Sequence, residues 1–392
     1  MFASAPNFLV CVAFSLFRTS SAVGTPFGLA AGTTGGGSAT PAVPSSLAQL
    51  TTWLSDSTAR VILLDKIYDF TSNDGTTTGT ICKPWTCSPN PQFAIDANSW
   101  CEKEQPNAAK SKATYPVAGT KPLVVGSNKT LLGKGSSGGI KGKGLKITGA
   151  HNIIIQNIKI TDINAQYVWG GDALQIDGGS NIWVDSNYVA TSAIMFQHIG
   201  RQMVVTGYGA VTKTTFSNNV FNGDSTYSAT CNGCHYWVAL FTGAGDQITF
   251  ALNYLYKTSG RGPHVGGSSG KFQNVHVYNN YFVSVAGHAV DPEVGSKILL
   301  EGNYFNAVTT PALSGAGQTY IPTTAAQTAA CSALLGRACV ANVLLSSGSL
   351  QAGTDAGTLN GFTAATFKSA SIKAAAAVPS YVQAHAGVGI VN

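Results

Sequence analysis

An asparagine joined to β-branched or aromatic residues returns along the middle of the chain, at Asn157-Ile-Lys-Ile160, Asn187-Tyr-Val189, Asn218-Asn219-Val-Phe221, Asn253-Tyr-Leu-Tyr256, Asn280-Tyr-Phe282 and Asn303-Tyr-Phe305. Measured from Asn157 through Asn187, Asn219, Asn253, Asn280 and Asn303, the intervals are 30, 32, 34, 27 and 23 residues. Periods of this size mark repeat architectures, in which one unit cannot bury its apolar face alone and stacking supplies the core. The segments beside the asparagines are short and β-branched, as in Leu123-Val-Val125, Asn152-Ile-Ile-Ile-Gln156, Asn181-Ile-Trp-Val184, Gln247-Ile-Thr-Phe250 and Lys297-Ile-Leu-Leu300, and they read as strands. The expected fold is all-β: a right-handed, single-stranded parallel β-helix, or solenoid, with short capping helices and long loops. Asparagines stacked at one turn can hydrogen-bond along the axis, which is a physical reason for that residue to recur. A β-sandwich would need hairpin turns about every 8–12 residues and leaves the asparagines without a cause.

No Pro/Ser-rich linker or charge run divides the 392 residues, and a solenoid lengthens along its axis without splitting into domains. One domain is expected over residues 23–392. Leu47 to Leu54 has the pattern of a short amphipathic helix that could cap the open end, and Arg60-Val-Ile-Leu-Leu-Asp65 that of a first strand. Residues 71–115 hold three cysteines and two tryptophans; so long an excursion signals a functional surface. From residue 310 to 392 the repeat dissolves into Ala, Ser and Thr, the composition of a tail wrapping the solenoid.

The ten residues from Phe8 to Phe17 are apolar apart from Ser15 and are followed by Ser20-Ser-Ala22, too short a run to span a bilayer and arranged as a signal peptide over residues 1–22. A secreted, extracellular protein with no membrane attachment after cleavage is expected. Cleavage removes Cys11 and leaves seven cysteines, so an oxidising compartment allows three bridges and one free thiol. Cys231-Asn-Gly-Cys234 has no second pair at ligand spacing, and no metal is expected. Asn128-Lys-Thr130 is a glycosylation sequon. The formal net charge of +6 is scattered over the chain, which argues against a nucleic-acid partner.

Gly133-Lys-Gly-Ser-Ser-Gly138 matches a dinucleotide fingerprint without the helix that should follow, and two Gly-Ser-rich stretches match a nucleophile elbow without its strand–helix context. All three read as turns between coils. More informative are Trp169-Gly-Gly-Asp172, where the glycines would let a ligand approach the backbone, and the turn arginines of Gly200-Arg-Gln202 and Gly260-Arg-Gly262. Singly, each reads as a cap or a surface pair; together they indicate a polar, cation-rich groove along one face. Trp85, Trp100, Trp169, Tyr236 and Trp237 lie among polar neighbours, as rings that stack on sugars do.

The strings Phe70-Thr-Ser-Asn-Asp-Gly-Thr-Thr-Thr-Gly79, Ile140-Lys-Gly-Lys-Gly144, Tyr167-Val-Trp-Gly-Gly-Asp172, Tyr227-Ser-Ala-Thr-Cys231, Tyr254-Leu-Tyr-Lys-Thr-Ser-Gly-Arg261 and Gly336-Arg-Ala-Cys-Val-Ala-Asn342 closely resemble the fungal-type pectin lyases, of polysaccharide lyase family 1 in the pectate lyase superfamily. The resemblance covers nearly the whole mature chain. It implies β-elimination across α-1,4 bonds of methyl-esterified polygalacturonate (pectin), with no cofactor, by a monomer. It also implies catalytic roles for Arg261, Arg201 and Asp172, substrate binding by the five aromatics and His264, and disulfides Cys82–Cys101, Cys87–Cys231 and Cys331–Cys339, with Cys234 the odd thiol. His264 stands where the family has lysine, and an insertion surrounds Ser192 to His198. The alternatives are a calcium-dependent pectate lyase and a catalytically impaired pectin-binding solenoid.

Overall fold

The computed structural model describes residues 22–189, 199–350 and 353–391. The expected signal peptide, apart from Ala22, and the insertion around Ser192 to His198 lie outside the described residues.

The β-branched runs pair in parallel with their equivalents one coil away. Among the described residues they form one sheet of fifteen strands and one of nine. Each coil contributes three strand segments. The first two merge where Leu145–Gln156 and Leu174–Asp185 run unbroken around a corner, and the third gives the nine-stranded sheet from Ile67–Asp69 to Val343–Leu345. A chain that returns in parallel after every coil makes a crossover each time, and strand twist strongly favours the right-handed one. The fold is a parallel β-helix, as the repeat predicts.

Registers run straight along the axis. Ile155, Val184, Phe216, Phe250, Val277 and Leu300 are successive partners, and all six are buried in the main core. Phe282 stacks on Phe305 at 4.7 Å between ring centroids, and Phe216 on Phe241 at 5.6 Å. Similar apolar faces thus repeat each coil, so the main core is a column of stacked hydrophobic side chains.

The asparagine ladder is real, with one correction. Asn187 donates to the Asn219 side chain at 3.1 Å, and Asn219, Asn253 and Asn280 each donate to the next at 3.0 Å. Asn303 continues to Asn342, also at 3.0 Å. Asn157 lies one residue early: it is Ile158 whose backbone N–H meets Asn187 Oδ1. Asn157 occupies the corner instead, with φ 58°, as do Ser186, Asn218, Leu252 and Asn279 on later coils. Asparagine tolerates this left-handed conformation better than most residues, so two different demands produce the same residue type at adjacent positions. Asn342 falls in the tail, where the loss of strand pattern hides the repeat.

The helix Leu47–Ser55 caps the open end, with Ser46 accepting from Gln49 N at its start and Leu50 and Leu54 fully buried. Gly28 to Gly36 crosses the outside of the second strand face, where Thr249, Thr215 and Thr130 hydroxyls accept its backbone N–H groups. Residues 71–115 form more than a loop. Thr76–Lys83 pairs antiparallel with both Ala109–Pro116 and Phe93–Ile95, and Phe93–Ile95 pairs with Tyr167–Val168 of the solenoid. Cys82–Cys101 closes this sheet on itself and Cys87–Cys231 bolts it to the loop ahead of Trp237. Cys331–Cys339 ties the tail, and Cys234 is free and buried.

Candidate active site

The first strand of each coil presents alternate side chains outward. Register places Lys146, Gln175, Val205, Leu240, His264 and Asp291 in one row, at about 4.8 Å per coil. The row is the floor of a groove running along the axis. The antiparallel sheet over residues 76–116 stands along one side, because it joins the solenoid through Tyr167–Val168 immediately before Asp172.

Asp172 is buried, and both its oxygens are engaged: Oδ1 accepts Gln202 N and Oδ2 accepts Gln175 Nε2, each at 2.7 Å. The two glycines before it serve a different purpose from the one expected. A Cβ on Gly171 would fall 2.2 Å from Gly119 O, and one on Gly170 2.6 Å from Tyr167 O. They allow the backbone to pack on its own neighbours rather than on a ligand.

Arg201 lies one coil on, its guanidinium 3.9 Å from the Trp169 ring centre. His235, fully enclosed, fixes this coil to the next: its ring N–H donates to Arg201 O at 2.8 Å and approaches Trp237 O at 3.2 Å. Burial lowers its pKa to about 4 against those two bonds, so the ring is neutral.

Arg261 has φ 51°, a conformation costly for a side chain of its size. Its N–H donates to His288 Nε2 at 3.3 Å, which helps hold the turn. The guanidinium sits 4.8 Å from Trp237 and 5.7 Å from Tyr236, and its Nε and Nη1 are buried without a hydrogen-bond partner. Burial draws the pKa of both arginines below the ordinary value, against the pull of Tyr236 and Asp291 on Arg261 and of Asp172 on Arg201.

The remaining aromatics brace these. Trp85 meets Trp237 edge-on at 6.1 Å, Trp100 meets Trp169 at 6.3 Å, and Trp237 Nε1 donates to Gln92. Two cavities, ≈ 430 and ≈ 330 Å³, share Trp169, Asp172 and Gln175 in their linings, and Arg201 lines the second. Among the described residues no group of three or more His, Cys, Asp or Glu side chains is placed to hold a metal.

His264 Nδ1 is in hydrogen-bond contact with Asp291 Oδ2, and His288 Nε2 lies 3.8 Å from the same oxygen. Neither Asp291 nor His288 stands out in the sequence, nor do Gln175 and His235. The available signal was a histidine and an acid three residues apart in the short strand His288-Ala-Val-Asp-Pro292. Lys271 is on the opposite turn, 4.1 Å from the Tyr208 ring centre.

A pectate lyase family model matches residues 18–390. The chain belongs to the pectate lyase family. Curated relatives of this family member include pectin lyase B of Emericella nidulans, 44% identical over 98% of each chain. A probable pectin lyase A of Aspergillus fumigatus is 46% identical over 94% of each, and a probable pectin lyase F-2 of Aspergillus terreus is 46% identical over 94% of this chain and 74% of that one. Among solved structures, a Bacillus sp. N165 pectate lyase in complex with trigalacturonate superposes with TM-score 0.61 at 19% identity, covering 94% of this chain and all of that one. This last likeness concerns the fold.

Proposed function

We propose that this protein is a secreted, monomeric endo-pectin lyase that cleaves α-1,4 bonds of methyl-esterified polygalacturonate by β-elimination, leaving 4,5-unsaturated oligogalacturonate methyl esters. The supporting observation is Arg261, a half-buried cation beside the rings of Trp237 and Tyr236, two of whose guanidinium nitrogens have no hydrogen-bond partner. Donors left without partners are costly, and a guanidinium held this way keeps an uncompensated positive charge at the groove. In the elimination, loss of the C5 proton pushes negative charge onto the ester carbonyl while the C4–O4 bond breaks. Donors held in place beforehand stabilise that charge without reorganising. Arg201 and Asp172 flank the same stretch of groove, and Trp169, Tyr236 and Trp237 hold the two guanidinium groups in place there.

A methyl ester lacks the carboxylate charge that opposes enolate formation, so no metal is needed. Arg201 supplies a cation where a calcium-dependent pectate lyase would need acids. The test is the ultraviolet absorbance of the new conjugated double bond on highly methylated pectin and on polygalacturonate, each with and without chelator. A rise on methylated pectin despite chelator is expected; calcium-dependent activity on polygalacturonate alone would replace this reading. Endoglycosidase treatment of the secreted protein tests for a glycan at Asn128.

A further inference from the structure

Two aromatic rings stand in solvent where the solenoid turns from its first strand into its second. Tyr208 and Phe272 are 76% and 70% exposed, more than any other large hydrophobic side chain among the described residues. Val294 and Leu313 are exposed on the two turns after Phe272, so the rings begin a ridge along that edge. Apolar side chains exposed singly need no explanation, whereas a line of them marks a surface that binds something. The Lys271 ammonium lies 4.1 Å from the Tyr208 ring centre and joins the two ends of the ridge. Tyr208 also lines the ≈ 330 Å³ cavity that holds Arg201 and Asp172, whereas Phe272 lines a separate cleft of ≈ 590 Å³.

That cleft lies on the outward face of the second strands. Gln247, Asn274, Lys297 and Gln318 are successive partners there, and they alternate with Ile248, Val275 and Ile298 of the core. The row advances about 4.8 Å per coil, close to the step from one sugar to the next in a glycan. Its last three members line the cleft, and the tail at Asn360-Gly361 forms the far wall. Lys297 Nζ makes one long hydrogen bond, to Gly357 O at 3.4 Å. Neither Lys271 nor Lys297 has a carboxylate within ion-pair distance among the described residues. Asp246 acts on Lys271 from further off, its oxygens already taken by Thr206, Val211 and Gly243. Glu293 is the other acid on these turns.

An exposed ring, a row of amides and two open ammonium groups are the parts of a site for an acidic saccharide. We propose that this shoulder, from Tyr208 to Lys297, is a second polysaccharide site that holds a stretch of galacturonan carrying free carboxylates. Phe272 stacks on a sugar ring there, and Lys271 and Lys297 pair with uronate groups. The choice of galacturonan rests on the lyase reading above. Pectin carries esterified and free stretches on one chain, so holding a free stretch at the shoulder raises the local concentration of esterified bonds at Arg261. No bond is made or broken at the shoulder itself. A protein partner would also cover an apolar ridge, but the polar floor and the open lysines favour the polyanion.

The experiment is electrophoresis through gels cast with polygalacturonate and chelator, for the wild type, Phe272→Ala and the double variant Lys271→Gln/Lys297→Gln. Kinetics on block-de-esterified pectin and on short, fully methylated oligogalacturonates accompany it, with thermal melts as a check on folding. The wild type should be retarded and both variants should lose most of that retardation. On block-de-esterified pectin the double variant should raise KM about threefold to fivefold with kcat unchanged, while kinetics on the short esters stay as in the wild type. An unretarded wild type would overturn the proposal. So would equal retardation of both variants, because the polymer would then sit in the groove, or retardation lost with the lysines but kept in Phe272→Ala, because charge alone would then attract it. A dimer seen by light scattering and lost in Phe272→Ala would give the ridge to a second copy and overturn it as well. A wild type inactive on methylated pectin yet retarded through these residues would remove the lyase reading and leave the site standing.

Discussion

Glu301, wholly buried, receives Arg337 through both oxygens, Nη2 to Oε1 at 2.6 Å and Nη1 to Oε2 at 3.0 Å. His276 shares Oε1 at 2.9 Å, and Val340 N donates to Oε2. Arg337 lies within the Cys331–Cys339 loop, so this cluster is what fastens the tail to the last coils. All acceptor capacity on the carboxylate is used, which is the condition under which a buried ion pair is tolerated.

Removing one partner leaves the others buried and unpaired. Glu301→Ala should therefore destabilise the protein by roughly 3–5 kcal/mol. Denaturant midpoints compared at constant slope would measure it, and a change under about 1 kcal/mol would mean that the tail is held by its apolar contacts instead.

The same cluster, with His235, sets the response to acid. Glu301 is pushed up by burial and pulled down further by His276 and Arg337, to about 2 from 4.5. A depressed carboxylate contributes stability above its unfolded value that is lost as pH falls from 4.5 through about 2. Burial lowers His235 from 6.5 to about 4, and it lowers His276 as well, against the bonds to Glu301. In the unfolded chain these rings take protons below about 6.5, while the folded protein keeps them neutral until lower pH. The melting temperature should begin to fall as pH drops below that value and keep falling under 4.5 as Glu301 is protonated. His235→Gln should flatten the upper limb, and an unchanged slope in that variant would refute the assignment.

Each ladder asparagine satisfies backbone and side-chain groups on two coils. Asn253 accepts from the N–H and side chain of Asn219 and donates to Phe216 O and Asn280. Asn253→Ala should cost about 1–3 kcal/mol for each buried group left unpaired. Hydrogen exchange would localise the loss to the coils on either side.

Arg261→Lys keeps one charge but loses the planar donor set and the fit over Trp237. It should lower kcat by roughly 10²–10³-fold with little change in KM, read from double-bond absorbance on methylated pectin. A near-wild-type rate would show that charge alone suffices.

Much of the fold is legible in the amino-acid sequence because a solenoid is held together by short-range repetition. Equal faces recur at intervals of one coil, so β-branched runs and the asparagines beside them appear as a period. Arg201, Arg261 and Asp172 were legible for a related reason: each sits in a glycine-containing turn at the start of a coil, where a charge interrupts an apolar pattern. The distinction between Asn157 and its ladder neighbours was not, since a left-handed corner and an axial hydrogen bond favour the same residue. Nor did residues 71–115 announce an antiparallel sheet, because Thr76–Lys83 and Ala109–Pro116 pair across the long stretch between them and not through a tight turn that would mark a hairpin.

What the sequence alone determined was the parallel stack, its cap and the charged turns facing one side. Tertiary structure alone decided which side chains meet across coils. His264 and Asp291 are 27 residues apart, and Trp169 and Arg201 come from consecutive coils. Coils differ in length because their loops differ, so no fixed spacing in the chain records which residues end up about 4.8 Å apart along the axis. Only the hydrogen-bonded register between strands sets that distance, and the groove's chemistry depends on it.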